Sequence, residues 1–566
     1  MSTPAPADRP PAPAGSWVTR LRGRRVRKDL GAGLVHGLVS VPDGLAAGIL
    51  AGVNPVAGLY GYLFGTVAGA VSTSSVFMSV QATGAMAALI ADVPQVRSGP
   101  DATAALATLG VLTGIAMLVL GFLKLGSLVR FVPNAVLVGF VNAVAINIVL
   151  GQLGGLTGFT AEEVVGGRVG RLVSTVANVM AWSWPTIAVS AATIALILLL
   201  ERTRLGTLSL FVAVAVSSGL TALFALDGVA LISDIADIPA GLPIPVLPSL
   251  SLVPGLVIPA LSLTFVGLVQ GAAISQSVPN PDGRYPDVSG DFRGQGIANI
   301  VSGLLRGVPV GGSMSGTAVL TAAGAQSRLA NLTAGAVMAI AVLLFSDLVG
   351  YIATPALAAL LVLIGIRMFK FEQILMVWRT GRTQAVIMLV TFVLTVLIPL
   401  QYAVVTGVSI SVVLYVARQS NTITVLRWQL KQGSPFPTEE EPPTTLPPGE
   451  IVVLVTYGSL FFASAPVFEG QLPRIEPQST GTVVVLRLRG KQELGSTFEL
   501  ALLRYRERLE AVGSHLVLAG VGDRVLAQLS ATGALDALGT ENVFPATAEV
   551  GVSLTRALER ARILQG

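Results

Sequence analysis

Asp43 is the only charged side chain between Asp29 and Asp92, with long apolar runs on both sides of it. A carboxylate placed in a bilayer costs about 2.5–3.5 kcal/mol, so such a group faces a cavity or a pathway rather than lipid. The chemistry it offers is binding of a proton or cation, and Pro42 and Gly44 loosen the helix where the side chain would turn inward. The plainer alternative is a carboxylate capped by a neighbouring helix end or turned toward an aqueous vestibule. His36 lies seven residues earlier, on the same helical face. It is expected as an interfacial histidine near the cytoplasmic helix end, with a proton relay to Asp43 as the other reading. These two residues do not make a metal site, which needs several convergent ligands.

A second kind of chemistry resides in two glycine-broken stretches, SVFMSVQATGA (75–85) and GVPVGGSMSGT (307–317), 232 positions apart. Each runs from extended apolar residues through Gly or small polar residues into an apolar helix. In the first, Ser79, Gln81, Thr83 and Gly84 follow Val76–Met78. In the second, Gly311, Gly312, Ser313, Ser315 and Thr317 follow Val308–Val310. Helices starting there would point unpaired N–H groups and hydroxyls at one place, each helix end carrying roughly half a positive charge. That arrangement holds an anion without Lys or Arg. Small residues that merely permit close helix crossings are the alternative.

The elements that must position these groups are membrane helices. Of the 566 residues, 52% are hydrophobic and 12% charged, and the mean hydropathy is +0.75, whereas soluble domains carry about 25% charged residues. The chain has no cysteine, which excludes disulfides and thiolate chemistry. The net charge of +5 does not indicate nucleic acid, because the basic residues Arg20, Arg22, Arg24, Arg25, Arg27 and Lys28 crowd the approach to the first span without interleaved aromatics. They place the N-terminus in the cytoplasm. With no small-residue cleavage site and with Asp43 retained, that first span is not a removable signal peptide. Paired carboxylates, an activated nucleophile and a metal cluster are all missing, so an enzyme is not expected.

Apolar segments fall near 31–52, 56–72, 79–92, 104–124, 132–151, 182–200, 207–226, 255–275, 292–305, 313–324, 329–348, 353–367, 384–399 and 402–418. The basic connections at Lys124/Arg130, Arg202/Arg204 and Arg367–Arg382 then fall inside, and Asp227–Pro254, with three Asp and no Lys or Arg, falls outside. Arg97, Arg168 and Arg171 run against this pattern. Seven spans followed by seven give halves of opposite orientation, the form of an inverted repeat. Asp43 corresponds to Gln270, and Val76–Gly84 to Val308–Gly316. The expected organisation is a cytoplasmic tail over 1–29, a transmembrane transport domain over 30–418, a Pro/Glu-rich linker over 419–450 and a soluble domain over 451–566. In that last domain strands (451–456, 482–488, 515–520) alternate with helices (496–511, 523–535, 549–563), an α/β or mixed-sheet pattern.

Three blocks in order resemble the SulP family of anion transporters: VPDGLAAGILAGVNPVAGLYG (41–61), GIANIVSGLLRGVPVGGSMSGTAV (296–319) and a STAS-like tail. The resemblance implies a membrane all-α fold of fourteen segments in a 7+7 inverted repeat, with a core (spans 1–4 and 8–11) moving against a gate (5–7 and 12–14) in an elevator-like way. It also implies a cytoplasmic α/β STAS domain, a homodimer in the inner (plasma) membrane, and no cofactor. The substrate-binding set is Gln81, Ala82, Thr83, Gln270, Gly312, Ser313, Met314 and Ser315, with Asp43 for coupling.

Two departures matter. Gln270 stands where many members have a carboxylate, and Gly316 where many have Arg, so anion affinity rests on dipoles and hydroxyls. In the tail, Gly495, Ser496, Thr497 and Phe498 replace the usual Asp-Ser-Ser/Thr-Gly, which argues for docking over phosphorylation at Ser496. The expected function is secondary active transport of a small anion, a proton-coupled symport of a carboxylate or dicarboxylate. The alternatives are a sodium- or proton-coupled bicarbonate or sulfate transporter, or an uncoupled anion channel.

Overall fold

The computed structural model describes residues 23–97, 99–126, 133–159, 167–203, 205–224, 226–236, 238, 241–400, 402, 406, 409, 413, 423–430, 436–460 and 463–566. The chain divides into two units, Met1–Ser409 and Ile410–Gly566.

In the first unit the apolar segments become α1 (Gly23–Leu50), α2 (Pro55–Ser72), β1 (Ser79–Gln81) leading into α3 (Gly84–Ile90), α4 (Ala102–Phe122), α5 (Asn134–Gly151), α6 (Trp184–Leu200), α7 (Ser209–Leu223), α8 (Val253–Ser277), α9 (Val288–Leu304), β2 (Gly311–Ser313) leading into α10 (Met314–Ala322), α11 (Leu329–Leu344), α12 (Thr354–Met368) and α13 (Arg382–Leu397). These match the first thirteen expected segments one for one. The fourteenth, 402–418, lies outside the described residues except for scattered positions, as do Arg20, Arg22, Arg130 and Arg204. Short helices at Pro94–Arg97, Leu153–Thr157, Gly167–Ala177, Ser346–Gly350 and Phe371–Thr380 were not expected.

Local sequence explains the helix starts. Asn54 accepts a hydrogen bond from Val56 N at 2.9 Å and is followed by Pro55, whose fixed φ suits a first helical turn. Asp287 caps α9 by accepting from Ser289 N and Gly290 N at 3.2 and 2.9 Å. Large apolar side chains such as Phe122, Leu199, Leu223, Leu344 and Leu397 stay uncovered on the helices, as lipid-facing positions do.

By packing, the helices sort into two groups. One contains α1, α2, α4, α8, α9 and α11, and the other α5, α6, α7, α12 and α13. Glycine sets the closest approaches within the first group: a Cβ at Gly110 of α4 would stand 2.8 Å from Gly303 Cα of α9. The pairs also obey an exchange of halves. α4 lies along α9 as α2 lies along α11, α1 packs on α11 as α8 packs on α4, and α5 packs on α13 as α12 packs on α6. The self-paired elements are β1 and β2, which run antiparallel with Ser79 opposite Ser313, Val80 opposite Gly312 and Gln81 opposite Gly311. The 232-residue repeat maps Val80 onto Gly312, so the pseudo-twofold axis passes through that pair.

The second unit holds a six-stranded sheet in the order β4-β3-β5-β6-β7-β8. Its strands are β3 (Thr424–Gln429), β4 (Thr438–Glu440), β5 (Ile451–Tyr457), β6 (Val483–Arg487), β7 (His515–Val521) and β8 (Val543–Pro545). β5 to β8 are parallel, and β3 is antiparallel to both its neighbours. Helices α14 (Ala465–Gln471), α15 (Ser496–Glu510), α16 (Asp523–Thr532), α17 (Ala534–Leu538) and α18 (Val552–Gln565) accompany it. β5, β6, β7 and the main helices follow the expected pattern. The stretch 419–450, expected as a linker, differs: β3 and β4 within it form the sheet's outer strands. Leu426 and Trp428 pair with Val455 and Val453 of β5; Thr424–Gln429 itself contains no Pro or Glu, which begin after Gln432, and its Val, Leu and Trp suit a strand laid on the β5 edge.

Candidate functional site

Two capped helix starts flank the β1–β2 ladder. Ser313 Oγ accepts from Gly316 N at 3.1 Å at the start of α10, and Thr83 Oγ1 accepts from Met86 N at 3.3 Å at the start of α3. The ladder is fully buried. It is fastened from behind by α9, where Asn299 donates to Val310 O (2.6 Å) and accepts from Val310 N (2.9 Å), and where Gln295 Oε1 accepts from Gly312 N at 3.0 Å. Thr317 ties the two halves together, its Oγ1 accepting from Ser79 N at 3.1 Å and donating to Ser313 O at 2.6 Å.

α1 supplies the wall opposite. His36, Ser40 and Asp43 occupy one stripe at i, i+4 and i+7. Gln81 Nε2 donates to Ser40 Oγ at 2.9 Å and lies 3.3 Å from His36 Nε2, which is itself 2.7 Å from Ser79 Oγ. α8 mirrors this on the other side, where Gln270 Oε1 accepts from Thr83 Oγ1 at 2.9 Å. By the repeat, Asp43 and Ser315 correspond to Gln270 and Thr83. That bond is not reproduced, because Asp43 Oδ1 is buried without a hydrogen-bond partner and Ser315 Oγ lies 3.2 Å from Ser313 Oγ. One half of the site is therefore closed by a side-chain bond while the other leaves a carboxylate oxygen unpaired.

The structure thus brings all nine sequence-nominated residues into the segments that meet here, in different roles. Ala82 and Gly312 are buried backbone of the ladder and its exit, and the Gly312 N–H is already used by Gln295. Gln81 braces α1, and Thr83 and Ser313 are the caps. Met314 and Ser315 are the exposed residues of the set, Met314 being 55% exposed.

His36 differs from expectation. It is 1% exposed rather than interfacial, because α1 starts at Gly23 rather than near 31 and His36 stands 13 residues into it, about 20 Å along the axis. Ser40, Gln295 and Asn299 were not singled out from the sequence, and Ser79 and Thr317 were named only among the small polar residues of the two broken stretches. The i, i+4, i+7 spacing on α1 was the available signal for Ser40. At Gly316 a Cβ would stand 2.5 Å from Gln81 Oε1 and 3.1 Å from His36 Cε1, so these two side chains fill the space next to it.

The profile of the sulfate permease family matches residues 26–391, and that of the STAS domain matches 443–550. The chain belongs to the sulfate permease family. The chain is 27% identical over 544 residues to the probable sulfate transporter MT1781 of Mycobacterium tuberculosis, covering 94% of this chain and 96% of that one. Its fold is similar to that of SLC26A9 in two structures, one described as the overall structure of SLC26A9 (TM-score 0.84, 18% identity, 97% of this chain and 92% of that one) and one of the murine anion transporter Slc26a9 (TM-score 0.83, 17% identity, 97% and 93%). The transmembrane domain of a cyanobacterial bicarbonate transporter, BicA, covers 68% of this chain and 98% of its own length at TM-score 0.60 and 24% identity. The permease is accordingly a multi-pass membrane anion transporter with a C-terminal STAS domain, and its relatives are transporters rather than enzymes.

Proposed function

We propose that this permease is a proton-coupled symporter of a small anion, a carboxylate or dicarboxylate, carried by an elevator-like displacement of the α1–α4/α8–α11 group against the α5–α7/α12–α13 group. The observation that carries this reading is the β1–β2 bridge, which brings two hydroxyl-capped helix starts to one place without a Lys or Arg in either stretch. Helix-end dipoles there attract an anion of modest charge. Exposed Met314 and Ser315 at the start of α10 leave room for it, with Gln270 and Thr83 across the ladder.

The unpaired Asp43 oxygen supports a coupling role. Ionised, the carboxylate repels the anion, and a proton taken up with the substrate removes that repulsion. A second reading, coupled transport of sulfate or bicarbonate, draws on the activities for which the relatives are named, a sulfate transporter and BicA. Both readings are tested by uptake into proteoliposomes with and without an inward proton gradient, using labelled fumarate, bicarbonate and sulfate. The coupling reading expects gradient-stimulated uptake by the wild type and its loss in Asp43→Asn; uptake indifferent to the gradient in both proteins refutes it. Unsaturated conductance without countertransport would instead indicate an anion channel.

A further inference from the structure

His36 has no part in the reading above, yet it is buried in the site. Its Nε2 lies 2.7 Å from Ser79 Oγ and 3.3 Å from Gln81 Nε2, whereas its Nδ1 is buried without a hydrogen-bond partner. With the Gln81 amide donating toward Nε2, the single proton of the neutral ring belongs on Nδ1. That makes it a buried N–H lacking an acceptor, which costs roughly 1–3 kcal/mol unless something accepts from it. The Cε1 edge that joins the two nitrogens faces the first turn of α10, 3.1 Å from where a Cβ of Gly316 would be. α10 runs for nine residues from its Ser313 cap. An unpaired donor and a helix N-terminus therefore lie next to each other beside Gly316.

We propose that His36 contacts the transported oxyanion, its Nδ1–H donating to an anion held at the start of α10, and that the ring takes up one proton as the anion binds. The incoming proton comes from solution and adds to Nε2, which then donates a hydrogen bond to the Ser79 hydroxyl as that hydroxyl rotates, while the Gln81 amide keeps its bond to Ser40 Oγ and gives up its contact with Nε2; the resulting imidazolium places a positive charge beside the start of α10. This rests on the anion-transport reading and adds a second proton-binding group to it.

The surroundings suit such a switch. β1 presents Ser79 and Gln81, α10 presents Ser313, Gly316 and Thr317, and α11 meets this stretch of α1 through Ala334 and Val337, none of them titratable. α2 brings Tyr62 against Gly44, at the Asp43 end. On α1 the acidic groups nearest in sequence, Asp29 and Asp43, are each seven residues away. Asp29 is bonded to Gln326 N, Ser327 N and Ser327 Oγ. By linkage, whatever factor protonation adds to anion affinity, the anion adds to proton affinity.

Titration calorimetry of the purified full chain tests this, with sulfate, bicarbonate and fumarate in buffers of different ionisation enthalpy between pH 5 and 8. In the wild type, His36 is expected to contribute up to about one proton taken up per anion, and up to about a tenfold fall in affinity per pH unit as the pH rises through the linked range, beyond whatever Asp43 contributes. His36→Gln is expected to bind more weakly and to lose that share of the slope and of the proton uptake, leaving only what Asp43 contributes. Ser79→Ala, which keeps the ring but removes the acceptor for the new N–H, is expected to shift the fall in affinity to lower pH, and it serves if His36→Gln does not elute as a folded species. Saturable wild-type binding with a flat pH response, the full wild-type slope and proton uptake retained in His36→Gln, or an unshifted response in Ser79→Ala overturns the role of His36 while leaving anion transport standing. No saturable heat from any of the three anions overturns both.

Discussion

Gly316→Ala is the most direct probe of how the site is packed. The added methyl would stand 2.5 Å from Gln81 Oε1, 3.1 Å from His36 Cε1 and 3.2 Å from Ser313 Oγ. The Gln81 amide is the end of a flexible side chain, so it is the group that yields, and a shift of about 1 Å breaks its contacts with Ser40 and His36. Leaving a buried amide without its partners costs about 1–3 kcal/mol. Against that, replacing Gly by Ala inside a helix returns up to about 1 kcal/mol. The balance is a net loss of about 1–2 kcal/mol, equivalent to a roughly 5–30-fold rise in the anion concentration needed for half-maximal uptake if the bracing is used in the binding-competent state. A double-mutant cycle with Gln81→Ala isolates the cause, because removing the amide removes the clash. Gly316→Ala should then be nearly neutral in the Gln81→Ala background, with a coupling of about 1 kcal/mol or more. Equal losses with and without the Gln81 side chain would refute the reasoning.

Asp291 on α9 accepts from Ser74 Oγ (2.8 Å), Ser75 N (2.7 Å), Ser75 Oγ (2.9 Å) and Ser275 Oγ (2.6 Å). Asp291→Asn leaves one carbonyl oxygen for this set, and bonds to a charged acceptor contribute about 1.5–3 kcal/mol each; the yield of monodisperse protein after heating in detergent should fall sharply, and an unchanged melting curve would show that the cluster does not hold β1's approach. In the STAS domain, Glu439 Oε1 accepts from Trp428 Nε1 at 3.0 Å and from the Tyr457 hydroxyl. The Tyr457 bond first and the Trp428 bond second hold this carboxyl below the usual carboxylate range. A lowered folded value means that its contribution is present above the ordinary carboxylate value and lost as the pH falls through the folded value. Tryptophan emission should accordingly shift only below the usual range, about pH 4.3, and the difference between wild type and Glu439→Gln reads it; a shift centred at or above that value contradicts the bond.

Much of the fold was legible in the chain because lipid imposes a one-dimensional rule. A segment must be apolar for roughly 20 residues to cross, so thirteen helices, the basic connections and the two glycine-broken starts follow from residue order alone. The STAS strands 451–456, 482–488 and 515–520 were legible as apolar β-branched runs for a similar reason. β3 was not, since Thr424–Gln429 is a short strand followed closely by a Pro/Glu-rich stretch, and its pairing with β4 and β5 is set by residues up to about 30 positions away. At the site, the sequence by itself determined which two glycine-broken stretches correspond and that Asp43 is a lone carboxylate within apolar runs. Only the tertiary structure decided that β1 and β2 pair about Val80 and Gly312, that Gln270 bonds Thr83 while Asp43 lacks the matching bond, and that His36 lies at the centre rather than at the interface. Those outcomes depend on distances between residues more than 40 positions apart, and on a helix beginning a turn or two earlier than its apolar run, neither of which is encoded in local periodicity.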